Sequence, residues 1–165
     1  MKKLMIFLLF FLLPLHYCQA HILRGYDTIH QGSVISSSSN IHNGTTLAHL
    51  YFQKIISPTF TLYTLLAYDK DFQTIYTPDS SMTIILDGQS FKFVPQFTCK
   101  KINTFPFNRS ELGRGEIILS LAAINALESA QQATLLFEGA ENDPITYDLP
   151  PAVLNEWKNI ISLKN

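Results

Sequence analysis

The chain has 165 residues with 12 basic and 13 acidic side chains, a formal net charge of −1. Past the start, Lys100-Lys101 is its only adjacent basic pair. Nucleic acid is therefore not an expected partner, because phosphate binding needs clustered positive charge.

The first twenty residues read MKKLMIFLLFFLLPLHYCQA. Lys2 and Lys3 make a positive start, Leu4 to Leu13 is an uninterrupted apolar run, and Pro14 breaks it. Cys18-Gln19-Ala20 then supplies small residues at the −3 and −1 positions of a signal-peptidase site. A membrane span needs about 20 apolar residues, and this run is shorter. The expectation is a cleaved secretory signal over 1–20, with the mature protein starting at His21 and no transmembrane segment after its removal. The mature chain keeps 10 basic against 13 acidic residues, a charge of −3, and its 145 residues suit one domain. Leu15 and Cys18 also match two positions of a bacterial lipobox, which makes a lipid anchor through Cys18 the lesser alternative. Tyr17 opposes it, being large where a small residue is wanted.

After cleavage Cys99 is the only cysteine, so no internal disulfide forms and stability must come from the core. In the apolar context Phe97-Thr98-Cys99 it reads as a buried small hydrophobe. The signal and the poverty in cysteine together point to the bacterial periplasm. There the sequons Asn43-Gly44-Thr45 and Asn108-Arg109-Ser110 carry no meaning.

Residues 21–46 read as a flexible Ser-rich N-terminal arm, since SVISSSSN followed by His42-Asn43-Gly44 buries nothing. Residues 47–165 read as a single α+β domain. Leu47 to Ile56 fits a helix or a strand, and Thr59 to Tyr68, rich in Thr, Tyr and Phe, fits a strand. Met82 to Leu86, Asp87-Gly88 and Gln89 to Val94 spell a hairpin with a type I′ turn. Its register sets Ile84 against Phe91 and Met82 against Phe93 on one face. Glu116 to Leu119 reads as a short strand, and Ser120 caps a helix over about 120–130. Ala133 to Glu138 and Ile145 to Leu149 are two more strands. Pro150-Pro151 opens a last helix over 151–163, whose stripe is Val153, Leu154, Trp157, Ile160 and Ile161. The fold class expected is α+β, a mostly antiparallel sheet with both helices packed on one face.

The search for chemistry returns little. There is no Gly-x-Ser-x-Gly, no phosphate-binding glycine loop, no His-Glu-x-x-His and no Cys-x-x-Cys. Glu111 and Glu116 flank Leu112-Gly113-Arg114-Gly115, which reads as a loop with solvated charges rather than an acid–base pair. His21, His30, His42 and His49 all precede the expected core. If cleavage follows Ala20, the α-amine and ring nitrogen of His21 can chelate copper, with a second histidine completing the site. Thr61 to Tyr68 is apolar at both parities, so it is either buried on both faces or offers Tyr63 to a partner. The function expected is an exported, periplasmic, non-enzymatic binding or protein-interaction protein of the bacterial envelope, with a protein partner there. The alternative is a small metal-binding protein or metalloenzyme using His21.

Overall fold

The strands divide into two antiparallel sheets, where one had been expected. The computed structural model describes residues 21–28, 31–44, 46–69, 75, 79–102, 110–139 and 143–163. The chain runs as a meander through β1 (His21–Asp27), β2 (Gly32–Asn43), β3 (Thr46–Ile56) and β4 (Thr61–Asp69). It crosses to a second sheet for β5 (Ser81–Leu86) and β6 (Gln89–Phe93), then returns for β7 (Gln96–Ile102) and β8 (Ser110–Ile118). Helix α1 (Leu121–Ser129), strands β9 (Ala133–Glu138) and β10 (Ile145–Asp148), and helix α2 (Pro151–Ser162) complete it. The six-stranded sheet has the order β1-β2-β3-β4-β8-β7, and the four-stranded sheet β10-β9-β5-β6. Asn43 Nδ2 donates to the Thr146 carbonyl and Tyr147 Oη to Thr46 Oγ1, which ties the β2–β3 turn to β10.

The flexible arm expected over 21–46 is instead largely strand: β1 pairs with β2 over seven residues, and β2 with β3 over eleven. The serines mislead because β2 is held by its ladder to neighbours on both sides and by Val34, Ile35 and Ile41, which flank the serine run. Ser37 lies opposite Phe52 and Ser39 opposite Leu50, both serines buried. Small side chains there leave volume for large ones from β3, and Phe52 uses it to stack on Trp157, with centroids 4.8 Å apart and planes 13° from parallel. Gly32 opens β2 for a steric reason: a Cβ there would meet the Ile56 carbonyl oxygen at 2.8 Å.

The Asp87-Gly88 hairpin forms in the expected register, Met82 with Phe93 and Ile84 with Phe91. Both turn residues have positive φ, 47° and 87°, as a type I′ turn requires. The Asp87 carboxylate accepts backbone N–H bonds from Gln131 and Gln132 at 2.8–3.0 Å, which fastens the turn to the segment after α1. These bonds hold the Asp87 carboxyl below its ordinary pKa. Ser120 caps α1 by accepting from Ala123 N at 3.2 Å, and Pro151 opens α2. The run 112–115, expected as a loop, belongs to β8 and pairs with β7.

One cluster of buried side chains joins all these pieces. The six-stranded sheet contributes Ile35, Ile41, Leu50, Phe52 and Leu65; the four-stranded sheet adds Met82, Ile84, Leu135 and Phe137. The same cluster includes Ile124 and Leu127 of α1, and Val153, Leu154, Trp157, Ile160 and Ile161 of α2. Helix α2 lies against β2 and β3.

Candidate functional site

Strand β1 is an edge of the six-stranded sheet. One side of its backbone is spent on β2, and among the described residues no strand pairs with the other side. Its side chains alternate between the two faces, and both faces of β1 are open. Ile22 is 48% exposed, Leu23 52% and Tyr26 65%. In seven residues the strand carries two charged side chains, Arg24 in its middle and Asp27 at its end, and Asp27 is buried. An edge of this length with little charge is a ready template for pairing.

The face of the sheet turned away from the core carries a different set of groups. Alternation along β2 and β3 puts Ser38, Asn40 and His42 on it, together with His49 and Tyr51. Asn40 stands opposite His49, and His49 opposite Tyr68. His49 Nδ1 lies 2.5 Å from Asn40 Oδ1, and Tyr68 meets Tyr51 edge-on, with centroids 5.8 Å apart. These residues are half-buried or exposed.

On the core face, Lys54 is a buried cation with a specific task. Its Nζ donates to the Ile161 carbonyl at 3.1 Å and the Leu163 carbonyl at 2.5 Å, closing the C-terminal end of α2. A cation there meets the negative end of the helix dipole. Burial lowers the Lys54 pKa, and the charge of Glu128 opposes that shift. Tyr63 is half-buried beside it, with its ring stacked on Phe52 at 6.3 Å and Lys54 Nζ 5.7 Å from its centroid. Burial first, then Glu128, raises the Tyr63 pKa. Tyr63 therefore belongs to the packing on the helix side of β4, and Thr64 to Ala67 beyond it are buried at both parities.

His21 is the first residue of β1, paired with Ser38. His30, and the side chains of His21, Cys99 and Glu111, lie outside the described residues. Glu116 is buried in β8. Among the described residues no group of three or more His, Cys, Asp or Glu side chains is placed to hold a metal, and no helix is long and apolar enough to cross a membrane. The β1 edge escaped sequence reasoning because its residues were assigned to an arm. The signal present was the run Ile22-Leu23-Arg24-Gly25-Tyr26, more apolar than an arm requires. Comparison with protein-family models, curated proteins and solved structures found no match.

Proposed function

We propose that this is an exported, periplasmic protein-interaction protein without enzymatic activity, and that it binds an extended segment of a partner protein along β1. One observation carries the reading: a seven-residue edge strand exposes Ile22, Leu23 and Tyr26 on its two faces, with Arg24 as its one exposed charge. Added strands gain affinity from main-chain hydrogen bonds and specificity from alternate side chains. The partner suited to β1 is an extended stretch with apolar side chains at alternate positions and an acid facing Arg24. Export is supported by the positive, apolar and small-residue order of 1–20.

Lysines at Ile22 and Leu23 guard the edge as natural sheets do. The double variant is expected to change stability by less than about 1 kcal/mol, because both side chains are exposed. It should lose the partner that the wild type retains after cross-linking in the envelope and purification. Equal recovery of the same partner by both proteins would rule out β1 as the contact. The intact mass of the envelope-fraction protein is expected to start at His21.

A further inference from the structure

We propose that Asn43 is a self-modifying site: the Gly44 nitrogen displaces its side-chain ammonia, and the acid left at position 43 unties the β2–β3 turn from β10. The inference stands apart from the partner-binding reading and uses neither β1 nor His21.

Asn43-Gly44 is the one Asn-Gly pair in the chain. The chemistry needs an asparagine followed by a backbone nitrogen that is easily reached, and glycine has no Cβ to shield its own. Asn43 is the last residue of β2, and both it and Gly44 are exposed. Gly44 lies beyond the final ladder pair, Asn43 with Thr46, so the ladder does not claim its N–H. Its φ is 54°, and apart from its chain neighbours no atom lies within 4 Å of where a Cβ would stand.

The Gly44 nitrogen gives its proton to base and attacks Asn43 Cγ, forming a C–N bond. Nδ2 then leaves as ammonia, which closes a five-membered imide. Water opens the ring at either carbonyl. Opening at Cγ yields aspartate, and opening at the main-chain carbon yields isoaspartate, with an extra methylene in the backbone. The net change is one water taken up and one ammonia released.

One bond gives this reaction a structural consequence. Asn43 Nδ2 donates to the Thr146 carbonyl at 2.5 Å, which with the Tyr147 Oη bond to Thr46 ties the turn to β10. A carboxylate accepts and has no proton to donate. The product therefore sets a charged acceptor against a carbonyl, and attraction becomes repulsion. The same bond slows the reaction, because ring closure must take Nδ2 off Thr146 and turn Cγ back onto the chain. Conversion proceeds through local opening of the turn, the kind of motion that exposed strand ends undergo first.

The test is incubation of the mature protein at mildly alkaline pH, followed by peptide mapping with mass spectrometry. Position 43 is expected to gain the mass of an amide exchanged for an acid ahead of every other asparagine. Asn43→Gln, whose ring would need six members, should show no such gain. Tyr147→Phe leaves the reacting pair intact and loosens the turn, so it should speed conversion several-fold. Asn43→Asp reproduces the product. Its charged form is disfavoured beside Thr146, so its melting temperature should fall below that of wild type as the pH rises through the carboxyl range. The gap should close in acid, where a protonated carboxyl can donate again. The site is overturned if the folded protein keeps its amide while the urea-unfolded chain loses it completely. Equal melting of Asn43→Asp and wild type at neutral pH would also overturn it, since the bond to Thr146 would then fasten nothing.

Discussion

The two sheets finish their edges in opposite ways. The four-stranded sheet ends in β6 and β10, strands of five and four residues with exposed Gln89, Ser90, Lys92, Thr146 and Asp148. Lys92 reaches across β5 to Glu138 of β9 at 2.9 Å, where Ser81 Oγ also donates at 2.9 Å. Thr134 Oγ1 donates to Asp148 on β10. Short length, exposed polar groups and inter-strand bonds discourage further pairing. The six-stranded sheet ends at β1 in a longer strand that shows apolar groups on both faces, with Arg24 exposed in its middle. One chain therefore uses edge protection on one sheet and omits it at β1 on the other. That difference separates the part that completes the core from the part available for contact.

The sharpest way to break the comparison is at the core that both sheets share. Trp157→Ala is expected to cost about 3–5 kcal/mol, the range for truncating a fully buried large aromatic. Because one cluster spans both sheets, a urea melt followed by two independent probes should still show a single transition. If one sheet melts before the other, the sheets are separate folding units and their edges evolved under separate constraints.

A smaller effect tests the hairpin of the guarded sheet. The Asp87 carboxyl titrates below its ordinary value because three backbone N–H contacts favour its charged form. Its contribution is present above the unfolded value of about 3.8 and is lost as the pH falls through the folded value. Asp87→Asn keeps a turn residue that tolerates positive φ and removes the charge. Urea midpoints should favour wild type near neutral pH and converge in strong acid. A gap that persists in acid would mean the carboxylate does not fasten this turn.

The smallest effect belongs to the serine strand. Ser37 and Ser39 are buried, and their hydroxyls find no hydrogen-bond partner among the described residues. Ser37→Ala is expected to leave stability unchanged or raise it by up to about 1 kcal/mol, since it removes an unmet polar group with little change of shape. A loss of more than about 1 kcal/mol would show that Ser37 makes a bond worth keeping.

The hairpin at Asp87-Gly88, the Ser120 cap and the α2 stripe were legible because each is a local rule: a turn residue, a cap, a period of 3.6. Strand β2 was not, because its evidence is non-local. Four consecutive serines fill both parities, so no alternation survives, and the residue facing buried Ser37 is Phe52, fifteen residues away. The split into two sheets was hidden for the same reason, since it depends on which strands β5 and β8 choose. At the candidate sites, residue types were visible but neighbours were not. Asn40 and His49 meet only once the β2–β3 register is fixed, and β1 is an edge only once the strand order is known.

Lys54 also has a consequence for the order in which the molecule is finished. It holds carbonyls 107 and 109 residues further along, and the ring stacked on neighbouring Phe52 comes from the same helix. The helix-facing side of the long sheet around Lys54 and Phe52 is therefore completed only when α2 docks. Contacts of such sequence separation form slowly, because a long loop must close before they contribute. Without α2, Lys54 has no helix end to hold and Phe52 loses the Trp157 ring, keeping only Tyr63.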